Sequence, residues 1–254
     1  MLGIFSAFSI FVLWLTALTL AFTRVHLASP HEILKYIWLI LLIQFLYVGL
    51  FITIHDACHG TVAPGKPRFN LWLGRIFAFL YGGLSFDMLK KKHSQHHDFS
   101  GTTTDPDFHA PEKASFMAWI TRFFKNYISL KQILLMCGVA QIFMHVLNIP
   151  EINVLAFWAA PSILSIFQLF YFGTYLPHRK SESGAFADQH RTRNFSISYA
   201  ASWLSCYHFG AHHHTHHLYP AVPWFQLPVI LFQNGIKSKV TSTSKKSVFQ
   251  NRGI

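Results

Sequence analysis

The chain has 254 residues, 52% hydrophobic and 17% aromatic but only 12% charged, about half the ~25% typical of a soluble domain. So few charges cannot coat a water-facing globule, and a mean hydropathy of +0.31 favours an integral membrane protein over a soluble, disordered or disulfide-stapled one. The formal charge of +11 comes with no basic helix or aromatic-basic module, which argues against nucleic acid as a partner and for charge that sets membrane topology.

The run Leu2–Thr23 is apolar and lacks the basic start and small-residue cleavage site of a signal peptide, so it is expected to be a retained first span. Further uncharged runs at Tyr36–Ile54, Gln132–Leu147 and Val154–Leu176 complete about four crossings of a ~30 Å hydrocarbon core, the last with Pro161 as a tolerated kink. A shorter run, Leu71–Phe86, carries Arg75 and ends near Gly82 and Gly83, which fits a re-entrant or interfacial helix. The short loops after the first span and before the last hold only Arg24 and Lys35 of the 21 Lys and Arg. The opposite face is therefore expected to be cytoplasmic, with both termini on it. Cys58, Cys137 and Cys206 offer no C-x-x-C pair, consistent with a reducing environment. The expected fold is all-α: one membrane-embedded domain over residues 1–236, with a cytoplasmic histidine-rich cap. The Ser/Thr/Lys-rich tail 237–254 is expected to be flexible and drawn to anionic membrane lipid.

The anomaly is the histidine count, 17 against 10 Asp and Glu. His55 and His59 stand at i and i+4. His93, His96 and His97 stand at i, i+3 and i+4, and His213, His216 and His217 repeat that spacing. On helices each set falls on one face, and the charge rule assigns all three sets to the cytoplasmic side. Eight imidazoles exceed one tetrahedral zinc; two adjacent metals use them well. His178 emerges from the last span on the same side and is a candidate ninth ligand. His208, His212 and His214 are supporting or spare by default, with His212 the substitute if the register shifts, and His109 is not expected to bind. Asp56, Asp105 and Asp107 are the candidate site carboxylates, able to accept N–H bonds from ligand imidazoles and so fix their tautomers. The segment His55-Asp-Ala-Cys-His59 also approaches the H-E-x-x-H of zinc proteases, but with a shorter carboxylate and six histidines left unexplained. A metal transporter would place ionisable ligands at mid-membrane, where only His145 lies.

These boxes resemble the histidine-box membrane superfamily of fatty-acyl desaturases, alkane hydroxylases and carotenoid oxygenases. More narrowly, four stretches resemble the bacterial-type β-carotene ketolases: His55-Asp-Ala-Cys-His-Gly60, His93 to His109, Phe172-Gly-Thr-Tyr-Leu-Pro-His-Arg179, and Phe209-Gly-Ala-His-His-His-Thr-His-His-Leu-Tyr-Pro220 with its continuation to Pro228. The resemblance implies two iron ions (Fe2+) held by His55, His59, His93, His96, His97, His213, His216 and His217, with His178 as the ninth ligand. It further implies O2 as co-substrate and two hydroxylations at C4 of a β-ionone ring, followed by loss of water to the ketone. β-Carotene drawn from the bilayer would pass through echinenone to canthaxanthin. Where acyl desaturases carry an Asn four residues before the ninth ligand, this chain has Thr174. No flavin, haem or iron–sulfur motif is present, so electrons are expected from a separate, acidic ferredoxin-type donor. A carotenoid hydroxylase and an acyl-lipid desaturase are the alternatives within the superfamily.

Overall fold

The computed structural model describes residues 1–109, 115–179, 186 and 188–230, and the expected tail lies outside these. Among the described residues all regular structure is helical. Helix α1 is Leu2–Arg24, α2 Ile37–His59, α3 Pro67–Gly82, α4 Phe86–Phe99 and α5 Phe116–Tyr127. Helix α6 is Leu130–Val146 and α7 Glu151–His178, followed by the short helices α8, Tyr199–Cys206, and α9, His213–Leu218. Among the described residues three helices are long and apolar enough to cross a membrane: α1, α7, and α2 with the 3-10 segment that precedes it from Pro30.

Helix α2 is the axis of the assembly. Of its most apolar window 61% is buried, against 33% for α1 and 44% for α7, and α1, α3 and α7 all pack against it. Its apolar run ends at Ile54, but the helix continues through His59 before Gly60, at φ 75°, turns the chain in a left-handed conformation that costs glycine little. The first histidine pair therefore stands on the last turn of the most buried helix. Between apolar helices there is no hydrophobic drive to associate in lipid, and polar contacts and close packing take over. Asn153, at the start of α7, donates from Nδ2 to the carbonyls of Ala21 (3.2 Å) and Val25 (2.7 Å), closing the end of α1. Gln44 of α2 donates to Gln168 of α7 at 2.8 Å, and Tyr81 of α3 meets Ser165 of α7 at 2.9 Å.

Three of the expected crossings coincide with α1, α2 and α7. The Gln132–Leu147 run differs: α6 begins at Leu130 and is one arm of a pair with α5, bent by 82° at their junction, which makes it a broken span or a re-entrant element. Phe86 lies outside the helix formed by the Leu71–Phe86 run, because α3 stops at Gly82 and Phe86 opens α4. Helix α7 is interrupted by π-helical turns at Leu155–Ala159 and Phe170–Tyr175. The first ends two residues before Pro161, which cannot donate to the helical ladder, so the irregularity expected at the proline is taken up one turn earlier.

The joint between α3 and α4 aims the second histidine cluster. Arg75 of α3 pairs with Asp87 of α4 at 2.9 Å, and Ser85 caps α4 by accepting the N–H of Met88. Gly74 lets Phe86 lie against the α3 backbone: a Cβ at that position would stand 2.2 Å from the buried Phe86 ring. Gly74→Ala is expected to overpack this joint by about 1–3 kcal/mol. Thermal unfolding in detergent should show a lower midpoint than the parent; an unchanged midpoint would rule out the close approach.

Candidate metal centre

The three boxes converge at one end of the bundle. The α2 pair meets α4, and α9 is carried to both by a turn through Tyr207 and His208 in left-handed conformations, φ 47° and 69°. Phe195 donates its N–H to Ala211 at 2.8 Å, and Asn194 brackets α9 by accepting from the Thr215 N–H (3.1 Å) and donating to its hydroxyl (2.8 Å).

The nine expected histidines form two groups whose candidate ligand atoms lie within 4.8 Å of one another. One group is His55, His59, His93, His97 and His216; the other is His96, His178, His213 and His217. Helical geometry explains the division. Residues four apart share a direction, whereas adjacent residues point about 100° apart. Thus His93 and His97 enter the first group while His96 turns to the second, and His213 and His217 enter the second while His216 turns to the first. The adjacent pairs His96–His97 and His216–His217 straddle the two groups, and the His97 and His217 rings stack between them with centroids 4.3 Å apart.

Nitrogen spacing tests whether metals fit. In the first group the Nε2 atoms of His59 and His93 are 2.7 Å apart, those of His93 and His97 3.2 Å, and those of His97 and His216 3.0 Å. In the second group the Nε2 atom of His213 lies 2.9 Å from that of His178 and 3.2 Å from that of His217. Ligands at 2.0–2.1 Å from a common ion, separated by 90–109°, would stand roughly 2.9–3.4 Å apart. Burial also keeps the donors in the binding form. Desolvation, followed by the neighbouring imidazoles, pushes the pKa values of His93, His213, His216 and His217 well below the usual histidine value, and desolvation and the same crowding lower that of His97. Neutral imidazoles with inward lone pairs suit iron, zinc and copper alike, and the donor set fits two metal ions.

Two histidines of the second group have their tautomers fixed from behind. His96 Nδ1 lies 3.0 and 3.1 Å from the two carboxylate oxygens of Asp105, and His178 Nδ1 lies 3.1 Å from the Arg191 carbonyl; each arrangement puts the proton on Nδ1 and leaves Nε2 free. Desolvation opposes charging of His96, but the Asp105 carboxylate, with Asp107 beyond it, raises its pKa overall. Asp105 is itself held by the N–H groups of Gly101 and Asp107, both at 2.8 Å.

The other two carboxylates are placed differently. Asp107 accepts from the Tyr127 hydroxyl and stands 3.8 Å from His96 Nδ1. Asp56 is 3.6 Å from His55 Nδ1, beyond hydrogen-bond reach, and accepts the N–H of Trp224 at 3.3 Å. His109, His208, His212 and His214 join neither group; His208 contacts Ser202 Oγ (2.9 Å), and His214 contacts Thr192 Oγ1 (2.9 Å) and Asp188 (3.4 Å). Sequence reasoning missed the Arg191 carbonyl, Asn194 and the half-buried His190, whose ring is 5.9 Å from that of His217. The loop carrying them has no periodic signal, and only long-range contact brings it to the site.

Below the histidines opens an apolar cavity of about 490 Å³. His55, His93, His96 and His213 form its head, Leu169, Ile166, Ile163 and Trp158 of α7 run along one wall, and Met136, Cys137 and Ala140 of α6 face them.

A fatty acid desaturase family model matches residues 33–152 and 130–231. The beta-carotene ketolase of Paracoccus sp. (strain N81106 / MBIC 01143) is 43% identical over 201 residues, covering 79% of this chain and 81% of that one. The chain belongs to the β-carotene ketolase family. The beta-carotene ketolase of Paracoccus sp. (strain PC1) is 40% identical over 201 residues, 79% of this chain and 81% of the relative. The zeaxanthin 4-ketolase of Chlamydomonas reinhardtii is 40% identical over 189 residues, 73% of this chain but 42% of that longer protein. No solved structure matches. Family and apolar helices together make this a membrane protein with histidine clusters able to hold metal.

The depressed histidine pKa values make a signed prediction. The unfolded chain titrates these imidazoles near 6.5 and so binds more protons than the folded chain below that pH. Stability therefore falls as pH drops through about 6.5, with His96 and Asp107, whose pKa values are raised, opposing the trend. Chelator-treated protein in detergent is expected to unfold at a lower temperature at pH 5 than at pH 8; equal midpoints would mean that the imidazoles are solvated.

Proposed function

We propose that this chain is an integral membrane, O2-dependent di-iron oxygenase that introduces keto groups at C4 and C4′ of β-ionone rings, converting β-carotene through echinenone to canthaxanthin. The observation that carries this reading is the division of nine imidazoles, five buried and four half-buried, into groups of five and four at the head of an apolar cavity. The names of the relatives support a carotenoid substrate.

His55, His59, His93, His97 and His216 would hold one iron, and His96, His178, His213 and His217 the other. When bound, the pair supplies the redox chemistry that activates O2 toward an allylic C–H bond. The protein's part is positional. Asp105 and the Arg191 carbonyl keep His96 and His178 in the ligating tautomer. Asp107 and Tyr127 close the cavity wall behind His96, while Asp56 anchors the Trp224 segment beside the first box. The apolar walls exclude water from the reacting carbon and admit a hydrocarbon from the bilayer. Each hydroxylation consumes one O2, two electrons and two protons and releases water. The geminal diol formed at C4 then loses water to the ketone.

Electrons come from a ferredoxin-type donor at the basic cytoplasmic face, and both termini lie on that side. Residues 1–236 make one domain, with 237–254 as a basic tail.

In a host that accumulates β-carotene, expression of the chain is expected to yield echinenone and canthaxanthin on pigment chromatography. Zeaxanthin would instead mark a hydroxylase, and unchanged carotenoids with altered fatty acids an acyl-lipid desaturase. Purified protein is expected to bind about two iron ions per chain. Asp105→Asn should weaken metal retention roughly 10–100-fold, as loss of a histidine's supporting carboxylate does elsewhere. One zinc without iron would sink the di-iron assignment.

A further inference from the structure

A ketolase of the kind proposed above differs from a hydroxylase in one requirement: the 4-hydroxy product of the first oxidation must be retained and oxidised again at the same carbon. An otherwise apolar cavity offers nothing to hold such an alcohol unless some wall residue presents an unused polar group.

Most hydroxyls on that wall are already engaged. Tyr81 meets Ser165 Oγ at 2.9 Å, Ser162 donates to the Ala159 carbonyl at 2.9 Å, and Tyr127 donates to Asp107. Thr174 is the exception. It lines the cavity, is 8% exposed, and among the described residues its hydroxyl makes no hydrogen bond. A threonine within an α-helix ordinarily satisfies its hydroxyl by donating to the carbonyl three or four residues back. Thr174 instead sits in the π-helical turn Phe170–Tyr175 and makes no such bond. It also stands four residues before His178, on the same side of α7, and shares the cavity wall with His96 and His213 of the second histidine group. The one unengaged hydroxyl of the wall, among the described residues, is therefore next to the reacting end.

We propose that Thr174 binds the hydroxyl of the 4-hydroxy intermediate and thereby sets ketone formation apart from simple hydroxylation. With its alcohol oxygen held against α7, the ring keeps its remaining C4–H turned toward the histidine groups. The second oxidation replaces that hydrogen by hydroxyl, consuming O2, two electrons from the external donor and two protons, with release of water. Loss of a second water from the resulting diol gives the ketone. Threonine suits the task because its hydroxyl both donates and accepts.

The test compares the parent, Thr174→Val and Thr174→Ser in membranes supplied with reduced ferredoxin and its reductase, with either β-carotene or its 4-hydroxy derivative as substrate. Valine keeps the shape and removes the hydroxyl; serine keeps the hydroxyl. Thr174→Val is expected to consume β-carotene within about twofold of the parent rate but to raise the ratio of 4-hydroxy to 4-keto product roughly tenfold, the effect of losing one buried hydrogen bond. Added 4-hydroxy substrate should be converted to ketone correspondingly more slowly. Thr174→Ser should restore the parent ratio. An unchanged product ratio in Thr174→Val would overturn the proposal, as would equal loss of both steps at normal protein and iron content. If the parent itself made no ketone from either substrate, the ketolase reading would fail instead, and the two failures are thus distinct.

Discussion

Nine imidazoles must be brought out of water and aimed at one another, and the rest of the molecule is organised around that requirement. A buried polar nitrogen without a partner is costly, and inward-facing lone pairs repel. Such an arrangement is tolerable when cations sit between the donors. Several Nδ1 atoms here, those of His213, His216 and His217 among them, have no partner among the described residues either. The site therefore depends on rigid helices on every side to hold it open, and α2, α4, α7 and α9 supply them.

Each helix contributes through its own geometry. The pair on α2 is carried by the most buried span, so its position is set by the packing of three neighbours. The cluster on α4 is set by the joint at Gly74 and Phe86, and α9 by the left-handed turn at Tyr207 and His208 with the Asn194 clamp. The doubled histidines in two of the boxes then do what a single one could not: adjacent residues on a helix point in different directions, so each box feeds both groups. Helix α7 serves the site and the cavity at once. Each of its two π-helical turns shifts the register of the residues C-terminal to it, and the second lies between the apolar wall and His178. Turns of this kind concentrate at functional positions, because they re-aim side chains without ending the helix.

Electrostatics reinforces the division of labour. Desolvation holds most of the clustered imidazoles neutral, while His96, the one member of the two groups hydrogen-bonded to a carboxylate among the described residues, is driven the other way. Asp105 is in turn fixed by backbone N–H groups, so its orientation belongs to the loop and not to the histidine. The three candidate carboxylates thus separate by geometry: Asp105 backs His96, Asp107 ties to Tyr127, and Asp56 holds the Trp224 segment.

Local pattern alone carries much of this architecture. Apolar runs of bilayer length mark three helices and one arm of a bent pair, and i, i+3, i+4 spacing puts the histidines on common faces, because helical periodicity is a property of neighbouring residues. The distribution of the histidines between two groups needs the relative orientation of four helices. The pairing of Asp105 rather than Asp56 with a clustered histidine, the backing of His178 by the Arg191 carbonyl, and a Thr174 hydroxyl left unpaired among the described residues depend on loops and π-helical turns that no short-range pattern announces. A charge-poor helical membrane chain with histidine boxes at helix ends is thus written into the amino-acid order, since composition and periodicity act within one segment. Which imidazoles share a group, and which polar groups are left facing the cavity, are decided by the packing of the helices, since those are contacts between residues far apart in the chain.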